Sequence, residues 1–139
     1  MRRTFLVTLM LVFLCLGSTG CITWSHGIKP VQPYYGRAVS DTPLVLEWNP
    51  ATEPSDETRY HVAIWDASSV QVYGATNLAE TRHVVSKQLA AGKHTWSVRP
   101  LYLRDEKWVP GNWNRRKYFY FIGVLFGWGS QPYYFIYEP

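Results

Sequence analysis

From Thr42 onward, apolar and polar side chains alternate in short runs. Leu44, Leu46 and Trp48 fall on one parity and Val45 and Glu47 on the other, ending at Asn49-Pro50. A period of two is the signature of a strand with one buried face. Residues 51–58 are polar with a proline and read as a loop. Tyr60, Val62 and Ile64 then alternate with His61, Ala63 and Trp65, stopping at Asp66-Ala-Ser-Ser69. Val70 to Tyr73 reads as a short strand closed by Gly74, and Thr81 to Val85 as another. Leu89-Ala-Ala-Gly92 turns into His94, Trp96 and Val98, which alternate with Thr95, Ser97 and Arg99. Strands at roughly 8–12-residue spacing predict an all-β sandwich or barrel. A helix over Ala75 to Ala90 is the one competitor, and the β-branched Thr76, Thr81, Val84 and Val85 oppose it. The expected inward set is Leu44, Leu46, Trp48, Tyr60, Val62, Ile64, Leu89, Trp96 and Val98.

The two flanks of this region read differently. Residues 21–40 carry Gly27, Pro30, Pro33 and Gly36 between Trp24, Tyr34 and Tyr35, without periodicity. Prolines disfavour both helix and central strand, so the stretch reads as a tether leading into a first edge strand. Residues 103–132 begin charged and turn-rich, then run from Tyr118 to Trp128 with no polar group except tyrosine hydroxyls. Eleven residues are too few to cross a bilayer as a helix. A hairpin with Gly123 and Gly127 at bends is expected, or an apolar patch beside the basic run Arg115-Arg116-Lys117.

The N-terminus has Arg2 and Arg3 followed by the apolar run Phe5 to Leu16. A twelve-residue helix rises about 18 Å against a hydrocarbon core of about 30 Å, so the run fits a secretory signal better than a membrane span. Gly17-Ser18-Thr19-Gly20-Cys21 resembles the lipobox of bacterial lipoproteins, with Ser18 where leucine is usual. The resemblance implies a signal peptide over 1–20 and a diacylglycerol thioether on Cys21. It also implies an amide-linked acyl chain, such as palmitate, on its amine. Ile22 in place of Asp after the cysteine implies forwarding to the outer membrane, periplasmic face, where the envelope has two membranes. Independently, Cys15 would leave with the signal, and no cysteine follows Cys21, so the mature chain forms no internal disulfide. Two or more acyl chains hold a protein stably on a membrane.

The segments Leu44-x-Leu46-x-Trp48-x-Pro50, Tyr60-x-Val62-x-Ile64 and Leu89-x-x-Gly92-x-x-x-Trp96-x-Val98-Arg99 together resemble a fibronectin type III domain. The likeness covers about Thr42 to Tyr102, with a final strand expected near Tyr133 to Tyr137. It implies an immunoglobulin-like β-sandwich over 41–139, interrupted by an aromatic-rich insertion at about 103–132. His94 stands where that family carries its corner tyrosine, and one imidazole nitrogen can make a similar bond to nearby backbone.

Composition narrows the function more than it names it. The 139 residues hold 7 Trp, 10 Tyr and 6 Phe, but only 4 His and 2 Cys. That argues against a four-ligand zinc site. Loss of Arg2 and Arg3 leaves 12 basic against 10 acidic residues, lowering the net charge from +4 to +2. So mild a balance gives no case for nucleic acid. No G-x-S-x-G, phosphate-binding glycine loop or H-E-x-x-H occurs. His61 and His83 on neighbouring strands, near Asp66 or Glu80, are the nearest approach to a catalytic set. Neither an enzyme nor a cofactor is expected.

The expectation is a lipid-anchored envelope module with an unidentified protein partner. It would meet that partner through the insertion, with Trp108, Trp113, Arg115, Arg116, Lys117 and Trp128 as contact residues. The alternative is binding of carbohydrate or cell-wall glycan by exposed tryptophans, for which Trp24, Trp65, Trp108, Trp113 and Trp128 are the candidates.

Overall fold

Alternation does what a half-buried strand requires: β4 (Val45–Trp48) and β5 (Thr58–Trp65) bury one parity and leave the other nearer the surface, except at Ala63, which is covered as well. The computed structural model describes residues 22–24, 27–53, 55–122 and 125–139, with backbone and pairing alone for 22–24, 117–122 and 125–129. It is all-β, with no α-helix among the described residues.

Two sheets supply the core. The smaller has the order β2 (Pro30–Gln32), β4, β7 (Arg82–Val84). The larger runs β3 (Ala38–Val39), β12 (Tyr133–Tyr137), β8 (Gly92–Arg104), β5, β6 (Gln71–Leu78), with β9 (Lys107–Pro110) also paired to β8. Neighbours are antiparallel except β3 and β12, which run parallel. Leu44, Leu46, Trp48 and Val85 from one side meet Tyr60, Val62, Ile64, Trp96, Val98, Tyr133, Phe135 and Tyr137 from the other. All nine residues expected to face inward are buried. Trp48 meets Tyr60 edge-on at 5.4 Å and Trp96 meets Tyr133 likewise at 5.3 Å, the arrangement that ring quadrupoles favour. His94 Nε2 donates to the Ala90 carbonyl oxygen at 2.8 Å.

Several boundaries differ from those expected. The stretch read as a tether contains β1 (Ile22–Trp24), β2 and β3, all paired. Its prolines are accommodated because β2 is an edge strand, where a missing N–H costs little. Gly74 does not close a strand: it lies inside β6, opposite Ala63. The segment that competed for helix is β6, β7 and the turn between them. The final strand is β12, at the expected position.

The insertion is two hairpins in succession. The first joins β8 to β9 through Asp105 (φ 49°) and Glu106 (φ 61°), the left-handed pair of a two-residue hairpin turn that matches strand twist. The second consists of β10 (Arg116–Ile122) and β11 (Leu125–Gln131), with β1 paired to the root of β10. One strand organises all of this. Along one edge residues 95–102 of β8 pair with β5, while the opposite edge is shared. Residues 92–96 take β12, and 101–104 take β9. The Gly111 and Asn114 amides continue that second ladder to the Pro100 and Val98 carbonyls. The second hairpin leaves from the split at Ser97.

Candidate functional site

The parity that sends Val62, Ile64, Trp96 and Val98 into the core turns Arg59, His61, Ala63 and Trp65 of β5 to the other face. There they lie opposite Leu101, Arg99, Ser97 and Thr95 of β8. This face is partly roofed. As the chain returns along β8 it lays Trp113 over the sheet, 4.9 Å from the His61 ring and 5.4 Å from the Trp65 ring. The Arg99 guanidinium stands 4.7 Å from the Trp113 ring centre, within cation–π range. Ser97 Oγ donates to the Asn114 carbonyl oxygen at 2.5 Å and holds the roof down.

Electrostatics at His61 follow from this packing. Burial, reinforced by the Arg99 charge, lowers the imidazole pKa below its ordinary value. The neutral ring accepts from Arg99 Nε at 3.2 Å and Nη2 at 3.0 Å through Nδ1. Arg99 therefore packs against two aromatic rings, those of His61 and Trp113.

Beside Trp113, at the root of β10, lies a cavity of about 300 Å³. Trp65 and Trp113 supply apolar walls; Ser69, Thr95 and Arg115 add hydroxyls and a cation, and no carboxylate lines it. Its volume is at the small end of the range for ligand sites, about 300–1,000 Å³. Asn114, at the back, is completely buried. Its Nδ2 donates to the Ile28 carbonyl oxygen at 2.8 Å, while among the described residues its Oδ1 has no partner.

The candidate residues whose side chains are described fall in more than one place. Trp113 and Arg115 converge on the cavity. Trp108, 40% exposed, lies toward the far end of the same face with the Arg59 guanidinium 5.1 Å from its ring centre. Arg116 stands 4.5 Å from the Tyr35 ring, off the cavity wall. Lys117 and Trp128 are placed by pairing alone, opposite Ser130 and Phe119. Trp24 pairs with Arg116. Cys21, the expected lipid carrier, lies outside the described residues.

The histidines are not on neighbouring strands. His61 belongs to β5 and His83 to β7 of the other sheet. His83 Nε2 lies 2.7 Å from the Tyr73 hydroxyl, bridging β7 to β6, and burial lowers its pKa as well. Asp66 accepts from the Ser68 and Val70 amides, each at 2.9 Å, and shapes a turn. No group of three or more metal-ligating side chains occurs among the described residues.

Arg99, Ser69, Thr95 and Asn114 were not singled out as candidates from sequence. Outward parity could have marked Arg99 and Thr95, since each lies one residue from a core position. Asn114 carried no such signal. No protein-family model, no curated protein and no solved structure matches this chain.

Proposed function

We propose that the protein is a lipid-anchored module of the cell envelope that binds an acidic saccharide at the Trp65–Trp113 cavity. The anchor would be Cys21, with the outer membrane as destination. The body would be fibronectin type III-like. Two features of the strand arrangement support this. The smaller sheet takes the first, second and fifth core strands, β2, β4 and β7. The larger places β6, β5, β8 and β12 in the order C′, C, F and G of that fold. Fold alone names no ligand.

One observation carries the binding reading: two tryptophans, three hydroxyl residues (Ser69, Thr95 and Ser97) and an arginine line one cavity without a carboxylate. Pyranose faces stack on indoles, hydroxyls meet Ser69 and Thr95, and Arg115 pairs with an anionic substituent. A protein contact spread over the whole insertion is less favoured, because Trp108 and Trp113 lie toward different ends of the sheet face.

Titration of the protein with neutral and uronic-acid or phosphate-bearing oligosaccharides tests the reading through tryptophan fluorescence. Acidic oligosaccharides should shift the emission. Trp113→Ala should weaken binding at least tenfold, and Arg115→Gln should remove the preference for acidic over neutral ligands. Unchanged emission across the panel would overturn it.

A further inference from the structure

The second hairpin has its own chemistry, and it is graded along its length. Arg115, Arg116 and Lys117 stand at its base, whereas Tyr118 to Gly129 contain no charged residue and six aromatic ones. The backbone register pairs Phe119 with Trp128 and Phe121 with Phe126, and at the alternate positions sets Tyr118 and Tyr120 opposite Gly129 and Gly127. Beyond β1, the hairpin pairs with no further strand among the described residues. Among the described residues it is linked to the body at the root, where Arg116 packs on Tyr35 and the Tyr35 hydroxyl donates to Gln131.

From these observations we infer that β10 and β11 form a membrane-dipping ribbon. Its aromatic outer half enters the headgroup zone of a bilayer while its basic root meets anionic lipid phosphates. The axial grading selects this occupant. A second copy or a partner strand added along β11 would meet root and tip alike and would need no such gradient. A water–lipid boundary is itself graded, with aromatic side chains favoured at the interface and cations beside the phosphates.

Length and backbone chemistry set the depth. Four residue steps separate Tyr118 from Ile122, about 13 Å at ~3.3 Å per residue. That covers an interfacial insertion of about 5–10 Å and falls short of the ~30 Å hydrocarbon core. The outer edge of β11 is unpaired among the described residues. Unpaired amides are costly in hydrocarbon, so the ribbon halts where water still reaches. Ile22 sits level with Tyr118, so the chain joins the sheet at the border between the basic root and the apolar half.

The inference rests in part on the anchoring just proposed, so its test removes the anchor. The mature chain carrying Cys21→Ser is mixed with vesicles of phosphatidylethanolamine and phosphatidylglycerol (3:1) and floated on a density gradient. It should float with the vesicles, and brominated acyl chains should quench part of its fluorescence, a part lost in Trp128→Phe. Phe121→Ser with Phe126→Ser should reduce partitioning at least tenfold. Arg115→Gln with Arg116→Gln should reduce it on these vesicles but not on phosphatidylcholine. Protein left at the bottom of the gradient, or binding insensitive to the Phe changes, would overturn the ribbon, as would dimers in sedimentation without vesicle binding. Mass spectrometry of the native N-terminus reads the Cys21 anchor separately.

Discussion

Tryptophans in the core between the two sheets and on the outer face of the larger sheet keep different company. Inside, Trp48 and Trp96 are sealed from water and meet tyrosine rings edge-on. Outside, Trp108 and Trp113 remain partly exposed and meet arginines. The inner pairs bury large apolar surfaces that water would otherwise have to hydrate. The outer pairs keep a cation poised over an aromatic face that is still reachable. A single residue type is thus sealed in the core on one side and left accessible beside a cation on the other, according to parity and partner.

Substitution can break that contrast. The largest effect should come from Trp96→Ala, which opens a cavity in the core and should cost about 3–5 kcal/mol in urea unfolding. Trp113→Ala should cost far less while abolishing ligand-dependent fluorescence; equal losses of stability would erase the distinction. Next comes Asn114→Ala, which breaks the bond to the Ile28 carbonyl and frees the roof. It should cost about 1–3 kcal/mol and weaken ligand binding with it.

Acid should have a smaller effect. Both His61 and His83 have pKa values below the ordinary imidazole value. The unfolded chain therefore takes up protons first as pH falls, so their contribution is complete above about 6.5 and declines below it. Unfolding midpoints measured from pH 8 to 5 should fall, and His61→Gln with His83→Gln should flatten the curve. The smallest change should come from Arg59→Ala. It removes a half-buried cation over Trp108, a contact worth about 0.5–1 kcal/mol, together with surface bonds to Glu57 and Asn77 that add little, and should leave the saccharide titration unchanged.

Much of the body was legible because alternation is a direct readout of burial. Every residue placed inward from the pattern is in the core, and the last strand lies where it was expected. What escaped was set by distant contacts rather than local pattern. Residues 21–40 have no periodicity, yet β2 pairs with β4 and β3 with β12, partners supplied by segments far along the chain. Gly74 looked like a stop because a glycine weakens an isolated strand, but pairing to β5 carries the strand through it. In the candidate site, Trp113 and Arg115 were readable as aromatic and basic residues in a loop-rich stretch. Their meeting with Trp65 and Thr95 depends on the chain folding back along β8, which no local spacing encodes. His61 was noticed for its chemistry, but its partner is Arg99, placed opposite by strand register.

The fork at Ser97 has a consequence for engineering. Asn114 is fastened to Val98 on one side and Tyr133 is in register with Trp96 on the other. Residues 115–132 therefore depart and return at adjacent rungs of a ladder that is closed on both sides of them. The position behaves as a socket. Foreign peptides of varied length could be displayed there, with the host β-structure serving as a ready-made scaffold for grafted loops.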